Sequence, residues 1–216
     1  MFTLASCLLP SEGTMDYQRL FKACGENVSI HPDVVIEHPE LWEVGDHVTI
    51  AKGVYAKGGP AEVRIGSRVS IEPCVFVVGK GRLTIADDVG IFFSNYLSIG
   101  GNFIEIGPHT HFAPACSLYG GGGLKIGSHC AFSTHVVLAT IWQHWRDTER
   151  PIVTYPGAKG PITIEDDCWV AANAVVCGDV TIRTGCVIGA NAVVTKDTEP
   201  YGFYVGIPAT LKEKRK

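Results

Sequence analysis

The sequence predicts an all-β fold: a three-sided parallel β-helix with a short N-terminal helix, one long protruding loop and a C-terminal tail. Three observations predict it. Apolar residues recur every six positions, the pattern restarts at a near-constant step, and glycine runs fall at the same point of successive blocks.

The sixfold beat runs through Val44 and Ile50; Ile65, Ile71 and Val77; Ile85, Ile91 and Leu97; Ile106, Phe112 and Leu118; Ile126, Phe132 and Leu138. It resumes at Ile164, Val170, Val176, Ile182, Ile188 and Val194. A period of six matches neither a 3.6-residue helix nor one long alternating strand. It fits short strands joined by turns, with the first and fifth residues of each hexad pointing inward. Three hexads then make one triangular coil of a solenoid. The fifth position is small or medium in size: Val48, Val69, Val89, Thr110, Cys130, Cys168 and Cys186.

Coils start at 44, 65, 85, 106 and 126, in steps of 21, 20, 21 and 20, so each holds eighteen residues and two or three more. The extra residues lie in GKGR at 79–82, GGNF at 100–103 and GGGG at 120–123. Glycine there supplies the positive φ that a bulge needs. The next start is 164, a step of 38, so the same corner carries a long loop over 140–161. Loops of that length in compact domains are usually functional or disordered. This one holds Trp142, His144, Trp145, Arg146, Asp147 and Tyr155, and its two tryptophans point to docking. Residues 16–24, DYQRLFKAC, suit a short helix that caps the open first coil. The expected division is a tail and capping helix over 1–26, the β-helix over 27–200, and a cap and tail over 201–216.

The 216 residues suffice for one sizeable domain, and 46% apolar with 19% charged residues argues against global disorder. A net charge of −4 gives no general pull toward nucleic acid or anionic lipid. No apolar run is long enough to span a bilayer. LASC, which ends at Cys7, looks like a lipoprotein cleavage box, but no basic residue and too short an apolar stretch precede it, so we read a chance match. The organised pattern begins near Asp16, just after Met15. Cys130, Cys168 and Cys186 share one inward slot and are expected to stack roughly 4.8 Å apart as small hydrophobes. Cys116 fills the same kind of slot on another face. Buried thiols of this kind predict a reducing, cytoplasmic setting. His109 and His129 share an outward turn slot, as solvated turn residues or as a stacked metal pair.

The segment PITIEDDCWVAANAVVCGDVTIRTGCVIGANAVVTKD, 161–197, followed by YGFYVGIPA, resembles the hexapeptide-repeat acyltransferases. Most similar are the O-acetyltransferases that modify sugars of bacterial polysaccharides, lipopolysaccharides and nodulation factors, with the maltose and galactoside acetyltransferases as near relatives. The resemblance covers residues 20–212. It implies a left-handed β-helix, a homotrimer, and acetyl-CoA bound in the cleft between neighbouring prisms, with direct transfer to an acceptor hydroxyl and no metal. It implies a histidine near the start of the loop as general base. His144 matches by position, one residue later than in the family; His135, on a regular turn, is the second candidate. For the coenzyme it implies Trp169 along the pantetheine, Ala171, Ala172 and Ala190 beside the thioester, and Thr195 and Lys196 on the distal arm or nucleotide. Lys212 and Lys214 are expected near the 3′-phosphate. Asn95, Trp142 and Asp147 are the acceptor-side candidates, although Asn95 reads more readily as a buried amide satisfied by backbone.

The chemistry suits these residue types. A sugar hydroxyl attacks a thioester quickly only if a base removes its proton as the bond forms. A histidine of pKa near 6.5 is mostly neutral and basic enough for this. The oxygen that becomes negative needs a backbone N–H, for which Ala172 is the candidate. Asp147 or Glu149 is placed to hold the imidazole. Rival readings are a metalloenzyme like the γ-class carbonic anhydrases, a sugar N-acyltransferase or antibiotic acetyltransferase of the same fold, and a catalytically silent scaffold. His129 and His135 are six apart, hence on different faces of one coil, which disfavours the first.

Overall fold

In the computed structural model, residues 16–216 are described; Cys7 and Met15 therefore lie outside the described residues. The chain visits three long sheets in turn, here faces A, B and C, of eight, ten and eight strands. The strands within a face are parallel, apart from one that folds back at the C-terminal end of face B.

The sixfold anchors are the registers of these sheets. On face A, Val44, Ile65, Ile85, Ile106, Ile126, Ile164 and Ile182 stand directly over one another. Face B stacks Ile50, Ile71, Ile91, Phe112, Phe132, Val170 and Ile188. Face C stacks Val77, Leu97, Leu118, Leu138, Val176 and Val194. All are buried and form one continuous core. Each large aliphatic side chain so buried contributes about 1.5–3 kcal/mol. Below the first recognised anchor lies one more coil, where Cys24, Ile30 and Ile36 stack under Val44, Ile50 and Ala56. Cys24 in this coil and Ala56 in the one above blur the apolar beat, which hid the coil in the sequence.

Each strand is short because the chain turns after every hexad. The corner between faces A and B places His47, Arg68, Asp88, His109, His129 and Asp167 in the left-handed region. The corner between B and C does the same with Cys74, Ser94, Ala115, His135, Asn173 and Asn191. Such a φ is uncommon for side-chain-bearing residues. Here the N–H of each corner residue bonds to the coil below, as from His129 to Pro108 O (3.0 Å) and from Asn173 to Thr134 O (3.0 Å). His109 and His129 stack with ring centroids 4.7 Å apart. Among the described residues, no three His, Cys, Asp or Glu side chains come together as a metal site.

Cys116, Cys130, Cys168 and Cys186 are buried, and the seven described cysteines are free thiols. Burial pushes the Cys116 thiol up to about 11. Cys130 Sγ donates to Glu165 O (3.2 Å) and Cys168 Sγ to Arg183 O (3.3 Å), so this column is bonded from coil to coil.

The helix expected over 16–24 spans only Tyr17–Leu20, because Ala23–Cys24 joins face A as a strand. The segment still closes the first coil. Phe21 stacks on buried Trp42 (6.0 Å), and the Tyr17 hydroxyl bonds Val34 O and Ile36 N. At the other end Gly202–Val205 continues face B and Thr210–Lys214 folds back along it. Arg215 then pins the tail to Asp167 Oδ2 (3.0 Å) and Gly185 O (2.8 Å). No helix among the described residues is long and apolar enough to cross a membrane.

Candidate active site

Two edges of the prism carry the residues singled out above. The first is the corner between faces B and C, with the adjoining strip of face B. Trp169 opens a face B strand between Ala131 and Val187 of the neighbouring coils and is 50% exposed. Its indole Nε1 donates to Ser133 Oγ (3.1 Å), which turns the ring toward the corner. One step on, Ala171 is buried under the turn and Ala172 is half-buried, with Ala190 exposed one coil above. His135 stands on the same corner one coil below, exposed, its Nδ1 2.8 Å from Thr134 Oγ1.

The slot of Ala172 has a particular property. In successive coils it holds Pro73, Phe93, Pro114, Thr134, Ala172 and Ala190. Proline has no N–H, so the ladder between coils does not use this donor. The Ala172 and Ala190 N–H groups are accordingly left out of the coil-to-coil bonds, whereas those of Asn173 and Asn191 are spent on them. The edge offers free amide donors beside small side chains.

The second edge is the corner between faces C and A, where the loop leaves. Ile141–Trp142 pairs antiparallel with Ala158–Lys159, so the loop stands on a short two-stranded stalk. Thr140, fully buried, anchors it by donating to Tyr119 O (2.6 Å) and accepting from the Gly122 N–H (3.0 Å). The Trp142 ring lies on Gly178 of the next coil, where any Cβ would collide with it. Above the stalk Tyr155 is the one buried side chain, 7% exposed. Its ring lies 5.6 Å from that of His144, its hydroxyl accepts the Arg150 N–H (3.1 Å), and Gln143 Nε2 donates to its carbonyl (3.1 Å). His144 is exposed. The Glu149 N–H, the Tyr155 hydroxyl and the nearby His144 hold the Asp147 carboxyl below its ordinary range.

The structure thus gathers Trp169, Ala171, Ala172 and Ala190 on one edge, with His135, and gathers His144, Trp142 and Asp147 on another. The loop directly precedes the coils of 161–197 in sequence, yet face B lies opposite the C–A corner, so one protomer does not bring His144 to Trp169. Thr195 and Lys196 are exposed after the last face C strand. Lys212 is exposed on the returning C-terminal strand; Lys214 beside it is occupied by Glu199 (2.7 Å).

Asn95 takes the buried-amide arrangement. It is fully buried, and its amide is spent on backbone: Nδ2 donates to Phe92 O (2.6 Å) and Ala113 O (3.2 Å), while Oδ1 accepts from Cys116 N (3.1 Å). It ties two coils together and reaches no acceptor. Sequence reasoning missed Ser133 and Gly178 and gave Tyr155 no role. A glycine inside a motif that otherwise alternates with Val was the available signal for Gly178.

Residues 161–196 match the model of the bacterial transferase hexapeptide with six repeats. The hexapeptide solenoid as a whole is similar to solved structures. One is a variant of AntD, an N-acyltransferase from Bacillus cereus, in complex with dTDP-4-amino-4,6-dideoxyglucose and coenzyme A. It is 18% identical with a TM-score of 0.54, over 92% of this chain and 86% of that one. AntD in complex with dTDP and 3-hydroxybutyryl-CoA gives 17% and 0.51, over 92% and 86%. A maltose O-acetyltransferase from Clostridium difficile 630 is 16% identical with a TM-score of 0.45, over 93% and 73%. At such identities the AntD likeness establishes a shared fold. No curated protein matches the chain.

Proposed function

We propose that the chain is an acetyl-CoA-dependent O-acetyltransferase of the cytoplasm that works as a homotrimer on a sugar or sugar-containing acceptor such as a bacterial polysaccharide unit. The observation that carries this reading is the transferase hexapeptide match at 161–196. It falls on the coils whose outer edge combines a half-exposed tryptophan, small side chains and unused amide donors. The pantetheine arm lies along Trp169, the thioester beside Ala171, Ala172 and Ala190, and the distal end near Thr195, Lys196 and Lys212. The family resemblance and the CoA bound by AntD, by its description, agree with this co-substrate.

The faces differ in a way that favours assembly. The outward column of face A is polar: Glu43, Arg64, Thr84, Glu105, Lys125, Thr163 and Thr181. That of face C is largely apolar: Tyr55, Phe76, Tyr96, Val137, Val175 and Val193, with Phe76 42% exposed. Turning face C toward a threefold axis buries this column. It also sets the B–C edge of each copy against the C–A edge of the next, which is where His144 stands.

In that arrangement the acceptor hydroxyl sits between His144 and the thioester carbon. The imidazole accepts the hydroxyl proton as the C–O bond forms. The carbonyl oxygen takes up negative charge and is met by the Ala172 N–H. Collapse expels the thiolate, which regains a proton from the imidazolium, so no covalent enzyme intermediate forms. Asp147, beside His144, favours the imidazolium during transfer. Calorimetry with acetyl-CoA and a turnover screen over sugars and nucleotide sugars test the proposal. Binding with no turnover on any saccharide would refute the acceptor class, and no binding would refute the enzyme.

A further inference from the structure

The chain has eight arginines. Six of them, Arg19, Arg64, Arg68, Arg82, Arg183 and Arg215, each face a carboxylate within 4 Å. The remaining two, Arg146 and Arg150, lie four residues apart in the loop and make no ion pair among the described residues. Each rests on an aromatic ring instead, Arg146 Cζ 5.4 Å from the Trp145 ring centroid and Arg150 Cζ 4.3 Å from that of Tyr155. The loop has carboxylates within reach but does not use them this way. Asp147 turns its Oδ1 to the Glu149 N–H (2.9 Å). A cavity of ≈ 190 Å³ opens beside Arg146, lined by Trp142, His144, Trp145 and Arg146, with no carboxylate in its wall. Trp145 is 64% exposed and offers a free ring face there.

Guanidinium groups set over rings and not against carboxylates keep N–H donors free, and those donors match the oxygen pairs of phosphate and carboxylate. Exposed tryptophan faces suit the apolar face of a sugar ring. We infer that the acceptor is an anionic sugar, with its ring against Trp145 and Trp142, its reacting hydroxyl at His144, and its phosphate or carboxylate between Arg146 and Arg150. This inference rests on the acyltransferase reading for the role of His144, and it adds the charge class of the acceptor.

Equilibrium binding tests it without turnover, through quenching of intrinsic tryptophan fluorescence by glucose, glucose 1-phosphate and glucuronate. The two charged sugars should bind and glucose should bind at least about tenfold more weakly, the scale of one charge-assisted hydrogen bond. Their relative strength distinguishes a phosphate site from a carboxylate site. Arg146→Gln and Arg150→Gln should each remove most of the preference, and Lys125→Gln, on face A, should leave it unchanged. Equal binding of glucose and the charged sugars, or a preference that survives the double arginine variant, would overturn the inference. So would a double variant that dissociates on sedimentation while its protomers keep the preference, because the arginines would then serve subunit contact. Charged sugars that bind to a protein with no affinity for acetyl-CoA would sustain this site and sink the proposed reaction.

Discussion

Along the corner between faces B and C every coil turns in the same few residues, and the slot that holds Pro73 low in the stack holds Ala172 near its top. Along the corner between C and A the turn grows from glycine bulges to a loop built around Tyr155. The first edge offers what repetition can make: evenly spaced small side chains and amides free of the ladder. Such a surface fits a long, extended carrier. The second edge departs from the repeat and gathers aromatic, cationic and imidazole groups that no coil position supplies. It fits a particular acceptor. The contrast suggests that the carrier is bound by what the coils share and the acceptor by what one coil adds.

The largest expected effect separates the edges by their histidines. His144→Ala should lower kcat about 10²–10⁴-fold, the usual contribution of a general base, and His135→Ala should lower it little. The reverse outcome, read from steady-state kinetics on one acceptor, would move the base to the carrier edge. Next, Ala172→Trp should fill the space beside the thioester and weaken acetyl-CoA binding about 10–100-fold by calorimetry, with the fold intact by circular dichroism. Asn95→Ala should cost about 1–3 kcal/mol in denaturant unfolding, because Cys116 N and two carbonyls lose their partner in the core. Its KM for the acceptor should not change; a change would return Asn95 to the site.

Gly178→Ala should be smaller and confined to the loop edge. The added methyl displaces the Trp142 ring, so KM for the acceptor should rise several-fold while acetyl-CoA affinity holds. The smallest effect is one of pH. The Asp147 carboxyl is held below its ordinary 3.8, chiefly by the Glu149 N–H. Its contribution to loop order is therefore present above that value and lost as pH falls through the lower folded value. Tryptophan fluorescence of the folded protein should show a loop transition below about pH 4, absent in Asp147→Asn.

Most of the scaffold was legible because the repeat states each register many times. Ile65, Ile85 and Ile106 predict their own alignment, and the structure stacks them as spaced. The first coil escaped because Cys24 stands where larger apolar residues mark the others, and because the beat lapses at Ala56 in the coil above it. Carrier-edge candidates were found through a dense motif, yet Ser133, which aims Trp169, lies a coil away from it and 36 residues back in sequence. Asn95 was left with two readings for a related reason. A polar residue at an inward slot signals a special role, and period alone does not say whether its partner is a ligand or the next coil. The loop shows no period, so Tyr155 as its hub and the lone arginine pair emerged only in three dimensions.

If thioester and base come from neighbouring copies, two crippled subunits should repair one another. Co-expressing His144→Ala with Ala172→Trp chains and assaying acetyl transfer puts this directly to the test. Random mixing in a trimer leaves about a quarter of the inter-copy sites with both edges intact, so activity should recover toward that fraction of wild type. Recovery no greater than the sum of the two variants alone would contradict a site assembled across the prism edges.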